Sequence, residues 1–242
     1  LADREFLRRL DATAQDPENG LWWLAQPLNT QTPLADRLEI ELVGWLQKEK
    51  VIHGKDILPR VNQRFPGYLT PPEGLVRHCL EAYAVFDPKE QTWQLNQFED
   101  KENRESDLNE LKELVTRLAE RLRLDCSGEY PILWKKNLAG ESALYRFIIS
   151  NHAVIDREIM QSQSGRTENI LLIPGSRAGL LKYKLDRDPW LRESTDERWH
   201  FIKFRTLRAI ADRADLSLEL WKMLIDSDPI SLEETTQLSV FQ

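Results

Sequence analysis

The sequence predicts an α/β protein, α+β overall, in which a small helical unit ending in a β-hairpin precedes a mixed sheet flanked by helices. Three observations carry this expectation. Residues 32–95 contain three stretches with apolar residues three and four apart, then two short β-prone runs around a turn. Beyond residue 105, β-prone and helical runs alternate, the pattern of a sheet layered with helices. The composition is that of a globular chain: 242 residues, 41% hydrophobic and 30% charged, enough for one large domain or two modest ones.

Residues 1–31 read as a helical lead-in or docking segment. Arg4 to Ala14 carries Phe6, Leu7 and Leu10 at helical spacing, and Asp16-Pro17-Glu18-Asn19-Gly20 is a turn. Leu21-Trp22-Trp23-Leu24 then forms an apolar anchor, read as a docking contact with neighbouring structure rather than a stacking platform for a ligand.

In residues 32–95, Thr32 can cap a helix that starts at Pro33, and Asp36 and Glu39 suit the positive end of its dipole. Leu38, Leu42, Trp45 and Leu46 make its apolar stripe, which ends near Lys50. A second helix fits Lys55 to Phe65, with Ile57, Val61 and Phe65 inward and Pro59 expected in the first turn. Pro66-Gly67 breaks the chain. Thr70-Pro71-Pro72-Glu73 reads as a capping box opening a third helix, whose buried face is Leu75, Val76, Cys79, Leu80 and Tyr83. Val85-Phe86, a turn at Asp87–Glu90, and Thr92–Leu95 complete a hairpin. Three helices and a terminal hairpin in this order resemble the winged-helix family, over about a quarter of the chain.

Asn96 to Glu105 is polar and charge-rich and reads as the domain boundary, with residues 106–230 as a second domain. A long helix is expected over Ser106–Arg123, with Leu108, Leu111, Val115, Leu118 and Leu122 on one face. Strands follow at Tyr130–Lys135 and Leu144–Ser150, a helix at His152–Gln161, a buried strand at Asn169–Ile173 and a helix at Arg177–Asp186. A last strand, Trp199–Arg205, leads into helices Thr206–Ala214 and Leu216–Asp226.

This succession resembles the restriction-endonuclease-like, PD-(D/E)XK, fold. In active members an Asp on one strand and a Glu-x-Lys on the next hold Mg²⁺ and orient water. The matching positions here fall near Pro131 and on Ile148 and Ser150, so the resemblance implies a degenerate site with no metal and no cofactor. Glu129, Glu141 and Asp156 lie close by and are the carboxylates a divergent Mg²⁺ nuclease would use. The whole order resembles the C-terminal region of large bacterial DNA methylases. Neither the Asp/Ser-Pro-Pro-Tyr/Trp tetrad nor a methyl-donor glycine loop is present, so methyl chemistry would belong to the remainder of a larger DNA-modifying protein.

Charge qualifies that picture. With 33 Lys+Arg against 40 Asp+Glu the net charge is −7, which removes any general attraction to nucleic acid. The densest basic region is Arg177, Lys182, Lys184, Arg187, Lys203, Arg205 and Arg208, for which a solvated helix face paired with Asp186 and Asp188 is the alternative. Arg177, Lys182, Lys184, Lys203, Arg205 and Arg208, with Arg77 and Lys89 of the winged-helix segment, are the DNA-binding candidates. Gly175, Ser176 and Arg177 follow a strand and open a helix, a place where backbone N–H groups attract anions; the alternative is Gly175 turning the chain and Ser176 capping. The third helix exposes Glu73, Arg77, His78 and Glu81, a mixed set that leans toward protein docking.

Histidines 53, 78, 152 and 200 stand far apart, and neither Cys79 nor Cys126 has the setting of a nucleophile. Two cysteines, no membrane-length apolar run and no targeting segment lead to the expectation of a cytoplasmic protein without a membrane partner, and the start at Leu1 to that of a fragment. Residues 231–242 read as a flexible tail, in which Gln237-Leu238-Ser239-Val240-Phe241 resembles the Gln-Leu-Ser/Asp-Leu-Phe pentapeptide that binds the bacterial sliding clamp, with Val240 a departure. The expected function is a non-catalytic DNA- or partner-positioning accessory region of a bacterial DNA modification or restriction protein. The alternatives are a divergent Mg²⁺-dependent nuclease and a protein-interaction scaffold with a clamp-binding tail.

Overall fold

The computed structural model describes residues 32–67, 70–136, 143–161, 167–195 and 198–226, and the backbone of two short strands nearer the N-terminus. Those strands, β1 (Leu7–Arg9) and β2 (Trp22–Leu24), pair antiparallel with Leu7 opposite Leu24. The helix expected over Arg4–Ala14 is therefore corrected at its centre. A short apolar run fits either period, and a strand partner was available to take its backbone groups.

The next unit runs α1 (Leu34–Glu49), β3 (Val51–His53), α2 (Gly54–Arg64), α3 (Glu73–Tyr83), β4 (Ala84–Asp87) and β5 (Thr92–Leu95). Its antiparallel sheet has the order β3–β5–β4. Strand β3 was not foreseen; Lys50, at φ 63, reverses the chain straight out of α1 into it. The predicted apolar stripes do meet: Leu38, Leu42, Leu46, Ile57, Val61, Phe65, Leu75, Val76, Cys79, Leu80 and Tyr83 are all buried in one core.

Helix starts are where local signals misled. Pro33, not Thr32, takes the cap position of α1, and its carbonyl accepts the Arg37 N–H at 2.9 Å. The capping box before α3 does not form, because the Thr70 hydroxyl donates to the Phe65 carbonyl at 2.8 Å and Pro72 takes the cap position. Helix α2 opens at Gly54, which puts Pro59 in its second turn, where its missing N–H removes one ladder bond. In the β4–β5 turn the Asp87 carboxylate accepts the N–H groups of Lys89 (2.8 Å) and Glu90 (3.3 Å).

Residues 96–105 are not a linker. The Asn96 side chain caps a 3₁₀ turn at Gln97–Glu99, Glu99 is buried, and α4 (Lys101–Arg121) begins five residues before the expected Ser106. There follow β6 (Asp125–Ser127), β7 (Ile132–Lys135), β8 (Tyr145–Ile149), α5 (Asp156–Gln161) and β9 (Glu168–Ile173). A 3₁₀ turn, Gly175–Arg177, leads into α6 (Ala178–Arg187), and α7 (Pro189–Thr195), β10 (Trp199–Lys203), α8 (Phe204–Ala211) and α9 (Leu218–Asp226) complete the order. Strands β6 and helix α7 were not foreseen; the last strand ends at Lys203, so Arg205 belongs to α8.

The five-stranded sheet has the order β10–β9–β8–β7–β6, antiparallel from β6 to β8 and parallel from β8 to β10. The fold class is α/β, as the sequence predicts. One face of this sheet, with Trp134, Phe147, Ile170, Leu172 and Ile202, is covered by α4, α8 and α9. The other, with Ile148, Leu171 and Ile173, is covered by α5 and α6, and that core continues without interruption into α1, α2 and α3. The helical unit is thus packed onto one face of the sheet, and the two share a core.

Two glycines make opposite predictions. Gly128, at φ +84, would place a Cβ 2.6 Å from the Pro131 carbonyl oxygen, whereas a Cβ on Gly44, inside α1, meets nothing within 4 Å. Gly44→Ala should raise stability by about 0.5–1 kcal/mol, and Gly128→Ala should lower it by more than about 1 kcal/mol. Urea unfolding midpoints check both.

Candidate functional site

Where α1 and α3 meet α6, charged side chains are buried in the shared core. Asp36 and Glu39, one turn apart on the inner side of α1, face Lys184 of α6, and all three are at most 2% exposed. The Lys184 ammonium uses its three N–H groups on Asp36 Oδ1 (2.6 Å), Glu39 Oε2 (2.5 Å) and the Ala153 carbonyl (2.7 Å). Glu39 Oε1 accepts two more, from the Tyr83 hydroxyl and from the Ala153 N–H at 2.7 Å.

Tyr83 passes this network on to Arg177. The guanidinium lies 3.5 Å from the centre of the Tyr83 ring, a cation–π contact. Its Nε donates to the Asn151 carbonyl at 3.0 Å, Nη1 donates to the Ala82 carbonyl and to Ser176 Oγ (3.0 Å), and Nη2 pairs with Glu99 at 2.6 Å. Residues from α1, α3, the turn before α4, the loop after β8, and α6 are joined in one buried chain of contacts.

The two carboxylates on Lys184 do not behave alike. Burial pushes the Asp36 carboxyl above its ordinary value despite Lys184, and its Oδ2 has no hydrogen-bond partner. Burial acts on Glu39 too, but Lys184, Tyr83 and the Ala153 N–H together outweigh it and hold Glu39 below the usual range. For Lys184, burial opposes the charge, and Glu39 and Asp36 override it, so its pKa is raised. The network therefore favours the charged forms of Lys184 and Glu39 and disfavours that of Asp36. Close by, at the start of α5, burial and then the charges of Asp36 and Asp188 push Asp156 up to about 6. The Cys79 thiol, deep in the same core, is pushed far up by burial, which disfavours its thiolate.

This junction accounts for several candidate ligand contacts. Arg177 and Lys184 are buried within it, so the anion that Arg177 holds is the chain's own Glu99. Gly175 and Ser176 do form the turn into α6, with the Arg177 N–H donating to the Pro174 carbonyl at 3.0 Å, but the guanidinium points inward. Lys203 is buried, and Lys182 is 2.6 Å from Asp186 on its own helix. Arg208 pairs with Asp107 and, at 3.2 Å, with Glu110 of α4. The basic region over Arg177–Arg208 is consequently not one surface: α6 and α8, which carries Arg205 and Arg208, cover opposite faces of the sheet.

Helix α3 is also largely covered. A Cβ on Gly74 would lie 3.1 Å from the Tyr183 hydroxyl, and the His78 and Tyr183 rings are 4.5 Å apart. Its exposed strip is Glu73, Arg77 and Glu81, with Arg77 and Glu81 3.7 Å apart. Lys89 is exposed on the β4–β5 turn.

Of the two residues that the nuclease resemblance would place at metal-ligand positions, Ile148 is wholly buried, and the Ser150 hydroxyl donates to the His152 carbonyl at 2.9 Å. Among the described residues no group of three or more His, Cys, Asp or Glu is placed to hold a metal. Glu129 lines an open groove of about 530 Å³ with Lys112, Glu113, Thr116, Arg117, Gly128 and Ile132, which shares no residue with the junction. Glu141 and the tail motif Gln237–Phe241 lie outside the described residues. No helix among the described residues is long and apolar enough to cross a membrane.

No protein-family model matches the chain, and no curated protein matches it in sequence.

Removing one partner of a buried ion pair strands the others. Lys184→Met should cost about 3–5 kcal/mol, and adding Asp36→Asn and Glu39→Gln should recover most of it, as read by urea unfolding. The pH response has a definite sign. A carboxyl with a raised folded-state pKa binds its proton more tightly in the folded chain, so it favours folding as pH falls, and that advantage is lost as pH rises through the folded value. Asp156, at about 6 against an ordinary 3.8, and Asp36 both act in this direction. His152, whose pKa is lowered by desolvation, acts the other way over the same range, so the readout is a difference. Between about pH 7 and pH 5 the thermal midpoint of the wild type should rise relative to that of Asp156→Asn.

Proposed function

We propose that this chain is a non-catalytic positioning region of a larger DNA-modifying protein, a rigid platform that holds a partner polypeptide rather than reading a duplex. The buried junction carries this reading. It consumes Arg177 and Lys184, the centre of the basic region, and it joins the three-helix unit to the sheet through α1, α3 and α6. Two further features support it. The α3 strip carries two acids for one base, unlike a helix aimed at base edges, and Ile148 and Ser150 stand where metal ligands would be needed.

The family part of the proposal rests on element order. The three helices and terminal hairpin α1, α2, α3, β4 and β5 support the winged-helix resemblance, with β3 as an addition to it, and α4, β7, β8, α5 and β9 support the restriction-endonuclease-like one, with β6 as an addition. The tail motif Gln237–Phe241 belongs to the same proposal as a second partner contact, with a sliding clamp.

A labelled-duplex titration at low and high salt, with and without Mg²⁺, tests the reading. The expected result is no cleavage, and binding no tighter than the roughly 10⁻⁴–10⁻⁶ M of non-specific association at physiological salt. Tight, salt-sensitive binding lost on Arg77→Glu or Lys89→Glu would move the platform's role to DNA. Mg²⁺-dependent cutting that stops on Glu129→Gln or Asp156→Asn would overturn the proposal in favour of the nuclease.

A further inference from the structure

The outer side of α1 carries Arg37, Ile40, Glu41, Gly44, Gln47 and Lys48 at helical spacing, away from the Leu38–Leu42–Leu46 stripe. Ile40 is 56% exposed, and Gly44, one turn on, has open space where a side chain would stand. A glycine inside a helix weakens it, and neither a positive φ nor a crowded neighbour explains this one. What it leaves is a notch beside an exposed apolar side chain.

Among the described residues, the charges on this face that take part in no ion pair are of one sign. The acids nearest the ridge are already neutralised: Glu41 by Arg64 at 2.6 Å, and Glu49 by Arg60 at 2.6 Å. Aromatic rings help to hold the arginines, with Arg60 4.4 Å above Trp45 and Arg37 5.4 Å from Phe65. Arg37 and Lys48, near the two ends of the ridge, take part in no ion pair among the described residues. On a chain of net charge −7, this ridge is a positive exception.

We infer that the α1 ridge docks an acidic amphipathic helix of a partner polypeptide. The partner backbone approaches at Gly44, its apolar stripe packs on Ile40, and acidic residues toward its ends reach Arg37 and Lys48. The span from Arg37 to Lys48 is about 16 Å, which sets the partner at about three helical turns. The inference rests on the partner-positioning reading and names the surface that would serve it.

The test pans the full chain against a displayed library of helical peptides. Enrichment of acidic sequences with apolar residues three and four apart is expected. Their affinity should fall roughly tenfold on Gly44→Gln and on Arg37→Glu, and should weaken with salt. Gly44→Gln fills the notch while raising the thermal midpoint, so loss of binding in that variant is not loss of fold. No enrichment, enrichment of basic sequences, or peptides that bind Gly44→Gln undiminished would overturn the α1 site. The duplex titration does not probe this ridge, so the two proposals fail separately.

Discussion

The rest of the structure depends on burying Lys184 against Glu39. A lysine in an apolar core is tolerated only when carboxylates and carbonyls take all of its donors, and here two carboxylates and the Ala153 carbonyl do so. That requirement fixes how α1 sits against α6. Because Tyr83 bridges Glu39 to Arg177, and Arg177 reaches Asn151, Ala82 and Glu99, the same constraint extends to α3, the loop after β8 and the turn before α4. Apolar contact alone would bind these layers together, but it is non-directional; the ion pairs select one registration.

The junction also sets what the surface can do. Every cation drawn inward is one fewer on a surface that already carries excess acid. Helix α3, which the winged-helix resemblance would bring to DNA, is covered by α6 instead. Among the described residues, the exposed side of α1 presents an apolar residue, a notch and two cations, Arg37 and Lys48, that take part in no ion pair.

Much of the fold was legible in the sequence. The stripes Leu38–Leu42–Leu46 and Leu75–Val76–Cys79–Leu80–Tyr83 are buried as their periodicity predicts, and the β4–β5 hairpin follows from its Asp-Pro turn. Short elements were missed because three residues carry no period: β3 and β6 exist through their partners, not their own pattern. Cap signals failed at Thr32 and Thr70 because a nearby proline or carbonyl offered a competing geometry. The junction did leave a trace. Lys184 stands three and four residues after Leu181 and Leu180, and Glu39 three before Leu42, so both charges fall on apolar stripes.

By itself, then, the sequence determined the class of fold and the order of its long helices and central strands, because these follow from local periodicity and residue chemistry. Only the tertiary structure decided the fate of the charges. Whether Arg177 and Lys184 meet a phosphate or meet Glu99, Asp36 and Glu39 depends on contacts more than seventy positions apart in the chain. A one-dimensional pattern can show that a cation lies on a stripe, but the carboxylate that makes its burial affordable is supplied by another element packed against it.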